Sequence, residues 1–407
     1  MTKSLLVVVV ALKLRGASAL APSVARPVKV VDERRIGSLR VPTLAIGTIS
    51  WKPDRGYLPG DRIVGTTSEE AQRRLAQRGL DVGLTFFDTA ERYSVGAGES
   101  LLASALEREG EPRRAVVASK FTPAPWRVGA EAVVAACEAS RKRLGVEKID
   151  LYQLHMPDIV QPLRVVGYVD AKDEAYWDGL VKCKELGLVE EVGVSNYGPT
   201  LLRRCHAYLK ARGVRLASNQ IHYSLLARKD GNQAAVDAAN DLGVATLAYY
   251  PLARGLLTSS KAKKADEKNS PKKKKKSKSS LSHYERGGVG IVGLPWLEKN
   301  RIRIPKDGVG PLVRALELVA KKYGNNKTAS QVALNWIISQ GVIPIVGATS
   351  ETYLLDARGA LGWRLSKQDQ RFLEQSADDL GFEFRGTFFK RVDGKFVGYG
   401  VETWALD

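Results

Sequence analysis

Short apolar runs alternate with amphipathic segments along this 407-residue chain, and the alternation restricts the folds open to it. The runs have the length and composition of buried strands and span residues 43–46, 84–87, 115–118, 149–154, 191–194, 216–221, 244–249 and 342–346. Helical patterns fill most gaps, over residues 69–80, 99–109, 130–144, 172–186, 201–212, 233–242, 311–323 and 330–339. Strands this apolar, separated by helices, are parallel and covered on both faces. Eight such units predict an α/β fold, a closed (β/α)8 barrel in a single domain over residues 31–385.

Residues 1–30 do not follow this alternation and have the features of a targeting segment. Lys3 precedes an apolar stretch over residues 5–12, and Ala17-Ser18-Ala19 is a small-residue cleavage pattern. The next residues contain no acid until Asp32, as in transit peptides, and Ala-Ser-Ala-Leu-Ala-Pro resembles the bipartite plastid-targeting junction of algae with secondary plastids. Residues 1–30 are therefore predicted to be a signal plus transit peptide for a plastid, and the secretory pathway is the alternative. No segment is apolar for long enough to predict a membrane span.

A lysine- and serine-rich insertion interrupts the alternation after the seventh run, over residues 259–282. It contains Pro271 and lacks hydrophobic anchors, so we expect it to be disordered. Ten lysines and two acids lie between Lys261 and Lys278, which together carry almost half of the net charge of +19. The insertion is interpreted either as a tolerated loop expansion or as an electrostatic lure for anionic groups. The remaining positive charge is scattered without a nucleic-acid-binding motif, so no specific nucleic-acid partner is predicted.

The three cysteines do not indicate a disulfide framework. Cys137, Cys183 and Cys205 fall within predicted helices and lack the spacing of metal ligands. We expect reduced, partly buried thiols, and no metal site is predicted. The C-terminal residues 386–407 are predicted to be a tail outside the barrel domain.

Four polar residues stand at, or just after, the ends of three consecutive apolar runs. Asp88 directly follows the second run and Tyr93 comes five residues later, while Lys120 follows the third run and His155 the fourth. The carboxyl ends of the strands meet at one face of such a barrel, where its chemistry collects. Each residue alone has an ordinary explanation, as a helix cap, a packing ring, a solvated amine or a satisfied polar group. Their joint placement predicts one shared site.

These side chains together suit proton transfer. A free phenol has a pKa of about 10, and a neighbouring ammonium stabilises the phenolate and lowers that pKa. Tyr93, Lys120 and Asp88 are therefore predicted to form a relay that protonates a carbonyl oxygen, while His155 hydrogen-bonds that oxygen. None of these groups can supply a hydride, so the prediction requires a nicotinamide cofactor.

Longer motifs follow one another in a recognisable order over nearly the whole chain. They are Gly-Leu-Thr-Phe-Phe-Asp-Thr-Ala-Glu-Arg-Tyr (83–93), Ala-Ser-Lys-Phe (118–121), Asp-Leu-Tyr-Gln-Leu-His (150–155), Gly-Val-Ser-Asn-Tyr (193–197), Ala-Ser-Asn-Gln-Ile (217–221) and Ala-Leu-Asn-Trp (333–336). On these motifs the chain resembles the aldo-keto reductase family, and specifically its plastid-type members in plants and algae. The resemblance implies a TIM barrel, with Tyr93 as general acid, Lys120 and Asp88 tuning it, and His155 orienting the carbonyl.

The resemblance also implies a pocket for the nicotinamide cofactor. Ser195, Asn196 and Gln220 match the residues that hold the carboxamide, and Tyr249 matches the ring that stacks on nicotinamide. The loop Gly347-Ala-Thr-Ser350 opens a helix after the last strand and matches the adenine-phosphate loop, where backbone amides suit a phosphate. The complete implied set is Gly47, Thr48, Ser195, Asn196, Gln220, Tyr249, Leu252, Gly347, Thr349, Ser350 and Tyr353.

The adenine end of this pocket departs from the family pattern. Relatives with a strong preference for NADPH usually place a basic side chain where Thr349 stands, and Tyr353 and Ala357 occupy positions where Gln and Asn are common. The loss of the cation removes a charge-assisted contact to the 2′-phosphate. NADPH (NADP+) is the expected cofactor, and NADH is the alternative.

The expected activity is NAD(P)H-dependent reduction of an aldehyde or ketone to an alcohol, as in the aldehyde reductase class. The expected partner is a small-molecule carbonyl compound, and the sequence does not indicate an oligomeric state. Trp51, Trp126 and Tyr197 follow the first, third and fifth strands and either wall an apolar carbonyl pocket or pack the core. The alternative function is a cofactor-binding regulatory subunit with little turnover, similar to the β-subunits of potassium channels.

Overall fold

A computed structural model describes residues 32–51, 68–107, 115–124, 126–158, 173–229, 231–258, 308–324, 326–381, 389–392 and 395–398. Its first ten strands are β1 (Glu33–Ile36), β2 (Leu39–Pro42), β3 (Ala45–Gly47), β4 (Phe86–Asp88), β5 (Val116–Phe121), β6 (Ile149–Leu154), β7 (Val189–Ser195), β8 (Leu216–His222), β9 (Ala245–Tyr249) and β10 (Ile343–Gly347). Strands β3 to β10 form a closed barrel in chain order, and every neighbouring pair is parallel. Strand β10 closes the barrel by pairing with both β9 and β3. The predicted (β/α)8 barrel is confirmed, because each apolar run overlaps one barrel strand.

Helices flank the barrel strands at the predicted positions. They are α1 (Glu69–Asp81), α2 (Gly98–Leu106), α3 (Gly129–Leu144), α4 (Asp173–Glu185), α5 (Pro199–Lys210), α6 (Asn232–Leu242), α7 (Gly310–Lys322), α8 (Ala329–Ser339), α9 (Glu351–Arg358) and α10 (Lys367–Asp378). Local signals explain several ends: Ser68 caps α1 by accepting from the amide of Ala71, and α3 ends at Gly145 in a left-handed conformation (φ 63°). The sequence does not predict α10, because much of its buried face is polar, including Asp369 and Gln370.

A short hairpin formed by β1 and β2 covers one end of the barrel. Ile36 and Val41 are buried and belong to the same apolar cluster as Phe86 and Leu247 inside the barrel. The amide of Ser38, in the hairpin turn, donates a hydrogen bond of 2.6 Å to the Glu191 side chain, near the start of β7. The hairpin therefore lies at the amino end of the barrel strands, opposite the carboxyl end where the predicted polar side chains lie.

The three cysteines lie in helices α3, α4 and α5. Cys137, Cys183 and Cys205 are free thiols with no exposed surface, so their burial is more complete than that of the partly buried thiols that the sequence predicts. Helices α3 and α4 pack closely, since a Cβ on Gly179 would come within 2.5 Å of the Val133 Cβ. Glycine at this position is what permits the close approach of the two helices.

Other predicted segments fall wholly or largely outside the described residues. These are the targeting segment 1–30, the lysine-rich insertion 259–282 and most of the C-terminal tail 386–407. Within the tail the structure describes an antiparallel hairpin of β11 (Phe389–Val392) and β12 (Lys395–Gly398). Among the helices that the structure describes, none has the length and apolar character needed to cross a membrane.

Candidate active site

The Asp88 carboxylate, the Lys120 ammonium and the Tyr93 phenol meet at the carboxyl end of the barrel. Asp88 is the last residue of β4, Lys120 lies near the end of β5, and Tyr93 begins a short 3-10 turn that spans Tyr93–Gly96. Nζ of Lys120 lies 2.7 Å from each carboxylate oxygen of Asp88, 2.8 Å from the carbonyl of Thr89 and 3.3 Å from Oη of Tyr93. The structure therefore brings these three predicted residues into direct contact.

This ion pair is almost fully withdrawn from solvent. The Lys120 side chain has no exposed surface, and 4% of the Asp88 side chain is exposed. Burial lowers the pKa of the Lys120 ammonium, and the Asp88 carboxylate acts in the opposite direction. A buried ammonium of this kind is sustained by its bonded carboxylate and by the additional acceptors around it.

His155 lies beside the phenol, directly after β6. Its ring packs edge-on against Tyr93, with 5.9 Å between the ring centres, and its amide donates to the carbonyl of Phe121 at 2.7 Å. Nδ1 lies 3.3 Å from Oγ1 of Thr122. Burial, followed by the positive charges of Lys120 and Arg92, holds the pKa of His155 well below its usual range. The ring is therefore a neutral imidazole, and all four residues at the strand ends share one site.

Amide and hydroxyl groups from the next three strands converge beside this site. Ser195 ends β7, and its hydroxyl donates to the carbonyl of Gln220 in β8 at 2.8 Å. Nδ2 of Asn196 donates to the carbonyl of His155 at 3.0 Å and to Oγ of Ser195 at 3.1 Å, while Oδ1 accepts from Tyr249 Oη at 2.7 Å. Asn196 adopts a left-handed backbone conformation (φ 62°), which directs its amide back into the site.

The chemistry of this group fits a nicotinamide. A carboxamide both donates and accepts hydrogen bonds, and the hydroxyl and amide side chains of Ser195, Asn196 and Gln220 offer both kinds of partner. The aromatic ring of Tyr249 lies next to them at the end of β9. These residues would hold the carboxamide end of a nicotinamide cofactor.

The predicted phosphate loop adjoins the same end of the barrel. Gly347 ends β10 and is paired in register with Gly47 of β3. Ser350 caps α9, because its hydroxyl accepts from the amide of Tyr353 at 3.3 Å. Thr48 contacts β4, since its amide and its hydroxyl each donate to the carbonyl of Asp88 at 3.0 Å.

Comparison with known proteins places the chain among relatives of the same fold. Residues 43–378 match the model of the Aldo/keto reductase family. The chain belongs to this family. It is 33% identical over 356 residues to a chloroplastic pyridoxal reductase of Arabidopsis thaliana, with 85% of this chain and 86% of the relative covered.

Two further comparisons agree with this membership. The chain is 31% identical to a probable aldo-keto reductase 1 of Glycine max, with 76% of this chain and 80% of the relative covered. The crystal structure of a thermostable aldo-keto reductase in complex with the inhibitor epalrestat superposes with a TM-score of 0.60 at 22% identity, covering 84% of this chain and 99% of the other. At this identity, the similarity to the crystal structure shows a shared fold. Aldo-keto reductases are oxidoreductases that use nicotinamide cofactors and act on small carbonyl compounds.

The three aromatic residues assigned to the substrate pocket of this aldo-keto reductase have different surroundings. Trp126 is 77% exposed, whereas Trp51 is buried and its indole donates to the carbonyl of Ala348 at 3.2 Å. Tyr197 has no exposed surface. Its hydroxyl accepts from the Trp177 indole at 3.1 Å and donates to Asp173 at 3.1 Å. Tyr197 therefore has the contacts of a packing residue, which is one of its two predicted roles.

Three further residues around the site are not identified by the sequence analysis. The Glu91 carboxylate forms a two-pronged ion pair with the Arg127 guanidinium and accepts a hydrogen bond of 2.6 Å from the amide of Thr122. Glu91 lies inside the motif 83–93 and Arg127 follows Trp126, but neither position by itself indicates that the two side chains meet.

Leu252, which is predicted to contact the cofactor, follows β9 and immediately precedes the short 3-10 turn Ala253–Gly255.

Proposed function

We propose that this chain reduces an aldehyde or ketone to an alcohol with NADPH, and that Tyr93 donates the proton. One observation carries the proposal: Oη of Tyr93 lies 3.3 Å from the buried Lys120 ammonium, which in turn lies 2.7 Å from both oxygens of Asp88. A phenol placed against a buried cation is a proton donor whose conjugate base is stabilised where it forms.

Each of the four residues has a distinct part in the proposed reaction. The carbonyl oxygen of the substrate gains negative charge as the order of its C=O bond falls during reduction. The Tyr93 hydroxyl transfers its proton to that oxygen. Lys120 stabilises the phenolate that remains, and Asp88 keeps the lysine charged. His155 is neutral and donates a hydrogen bond that orients the same oxygen. A reduced nicotinamide, when bound, supplies the hydride.

We propose that Ser195, Asn196 and Gln220 hold the carboxamide of that cofactor and that Tyr249 packs against its ring. The convergence of donors and acceptors at the carboxyl ends of β7 and β8 supports this assignment. Gly47, Thr48, Leu252 and the loop from Gly347 through Thr349 and Ser350 to Tyr353 are proposed for the phosphates and the adenine end.

We propose aldehydes, including pyridoxal, as the substrate class. The Arabidopsis relative named for pyridoxal reduction supports this choice. Trp51 and Trp126, which follow the ends of β3 and β5, are proposed to wall the carbonyl pocket. Pyridoxal should be assayed beside aromatic, lipid-derived and sugar-derived aldehydes, because Tyr93 and His155 would contact only the carbonyl group of the substrate.

The decisive experiment compares two Tyr→Phe variants of the full chain in an assay of NADPH oxidation. Tyr93→Phe should lose turnover by about 10²- to 10⁴-fold, because it lacks the donated proton, and should bind NADPH as the wild type does. Tyr152→Phe is the matched control: this fully buried hydroxyl has no hydrogen-bond partner among the described residues. Undiminished turnover in Tyr93→Phe would contradict the proposed acid. Tight NADPH binding without turnover on any carbonyl would support the regulatory-subunit alternative.

We further propose that the chain acts in a plastid, with residues 1–30 as its targeting segment. The cleavage pattern Ala17-Ser18-Ala19 and the chloroplastic Arabidopsis relative support the location. Residues 1–30 fused to a fluorescent protein should direct it to the plastid of an alga with secondary plastids. Secretion of the fusion would support the secretory alternative.

A further inference from the structure

Thr122 is held in place from two sides at the edge of the carbonyl site. It directly follows β5, two residues after Lys120. Its amide donates to Oε1 of Glu91 at 2.6 Å, and its carbonyl accepts from the Arg127 guanidinium at 2.9 Å. Both polar groups of the Thr122 backbone are thus bonded to one ion pair.

The Glu91–Arg127 pair is itself well constrained. Both guanidinium NH2 groups contact the carboxylate, and the guanidinium lies over the Phe121 ring at 4.1 Å. The two side chains are 9% and 20% exposed, so solvent screens the pair less than an ordinary surface pair. A two-pronged arginine–carboxylate contact also fixes relative orientation. Because threonine is β-branched and stiff at χ1, a fixed backbone fixes the direction of its hydroxyl.

The Thr122 hydroxyl influences the tautomer of His155, that is, which of the two ring nitrogens carries the proton. A neutral imidazole has one N–H, and the hydrogen bond at one nitrogen determines the proton at the other. Oγ1 of Thr122 lies 3.3 Å from Nδ1, and within the described ranges Nδ1 is the hydrogen-bond partner of this buried hydroxyl. If the hydroxyl accepted from Nδ1–H, its own proton would lack an acceptor there, which is unfavourable for a buried group. Donation from the hydroxyl to Nδ1 avoids this cost and leaves the proton on Nε2.

We propose that Thr122 is a positioning residue that keeps the His155 proton on Nε2, and that the Glu91–Arg127 pair holds the threonine in this position. In the proposed reduction, which this inference takes as its basis, Nε2–H donates to the carbonyl oxygen. The opposite tautomer would present a lone pair to that oxygen and repel it.

A spectroscopic test needs no turnover and uses the full-length wild-type chain. Long-range ¹H–¹⁵N NMR distinguishes protonated from unprotonated imidazole nitrogens, and His155→Gln identifies the signal among the four histidines. We expect Nε2–H in the wild type. Observation of Nδ1–H would overturn the inference, even if the chain reduces aldehydes. An Nε2–H ring in a chain without turnover would instead contradict the proposed function.

Three threonine variants extend the test to activity. Thr122→Val removes the hydroxyl at nearly constant shape and should lower kcat on the order of 10- to 100-fold, with NADPH affinity unchanged. Thr122→Ser retains the hydroxyl and should restore both kcat and the Nε2–H signal. Thr246→Val removes a buried strand hydroxyl that has no partner among the described residues, and it should behave as the wild type does. Wild-type kcat in Thr122→Val, or failure of serine to restore it, would overturn the inference.

Discussion

Nε2 of Gln220 donates a hydrogen bond of 2.8 Å to Oδ1 of Asp88, across the barrel from β8 to β4. The same carboxylate oxygen also lies 2.7 Å from the Lys120 ammonium. One amide side chain thus joins the group proposed for the carboxamide to the ion pair beside Tyr93. A change at Gln220 should therefore affect both cofactor binding and proton transfer.

The first prediction concerns the pH dependence of Gln220→Glu. Protonated glutamic acid can still donate to Asp88, whereas ionised glutamate places two like charges side by side. Turnover of this variant should be highest at acidic pH and should fall as the pH rises and the new carboxyl loses its proton. Gln220→Met, which cannot titrate, should be less active than the wild type at every pH. Its pH–rate profile should have the same shape as that of the wild type. Parallel pH–rate profiles for Gln220→Glu and the wild type would contradict the proposed contact.

The second prediction concerns the stability of the buried ion pair. Lys120→Met leaves the Asp88 carboxylate buried without its partner, and loss of one member of such a pair typically costs about 3–5 kcal/mol. The double variant Asp88→Asn/Lys120→Met should recover much of this loss, because no uncompensated charge remains. Urea denaturation of the single and double variants measures the coupling. Additive losses of unfolding free energy would show that the two groups do not stabilise each other.

The sequence predicts the positions of three site residues well because those positions depend on the strand topology. Asp88, Lys120 and His155 lie at or just after the ends of parallel strands, and a closed barrel brings those ends together. The contact between Glu91 and Arg127 depends instead on the paths of two loops. Their separation of 36 residues has no periodic signal in the sequence. A sequence pattern therefore locates a side chain on a strand, but it does not give the direction of a loop side chain.

The same distinction explains why the surroundings of two aromatic residues predicted for the substrate pocket, and the hairpin of β1 and β2, are not predicted from the sequence. Tyr197 and Trp126 both follow barrel strands, yet the first is fully buried and the second is 77% exposed. Strand position does not separate these outcomes, because the burial of Tyr197 depends on Trp177 and Asp173 of α4, which the strand pattern does not place beside it. The hairpin of β1 and β2 also escapes prediction, because its short strands combine arginine and glutamate with few apolar residues.

The third prediction concerns Asp173, the first residue of α4. Burial raises the pKa of this carboxyl to about 6, although it accepts hydrogen bonds from the amide of Asp158 and the hydroxyl of Tyr197. The folded state therefore binds the proton more tightly than the unfolded state does. The stabilisation from this group is fully present below the unfolded pKa of about 3.8 and is lost as the pH rises through about 6.

Asp173→Asn should therefore be more stable than the wild type at neutral pH. A pKa rise of about two pH units corresponds to up to about 3 kcal/mol of unfolding free energy, and the advantage should shrink towards pH 4. Urea denaturation at several pH values measures this trend. The matched control is Asp241→Asn, whose carboxylate lies in a surface pair with Arg203 and is 64% exposed. A pH-independent difference between Asp173→Asn and the wild type would contradict the assignment.

The last prediction concerns the choice between NADPH and NADH at the phosphate loop. Thr349 follows Gly347 and Ala348 beside the cap of α9, and its side chain is uncharged. A hydrogen bond between charged groups contributes about 1.5–3 kcal/mol, which corresponds to about 10- to 150-fold in affinity. Without a cation at this position, the wild type should discriminate less than about 10-fold between the two cofactors. Thr349→Arg should raise the preference for NADPH by at least about 10-fold, whereas Thr349→Gln should leave it unchanged. Fluorescence titration with both cofactors measures the ratio of their dissociation constants. A wild-type preference for NADPH far above about 10-fold would show that another group binds the 2′-phosphate.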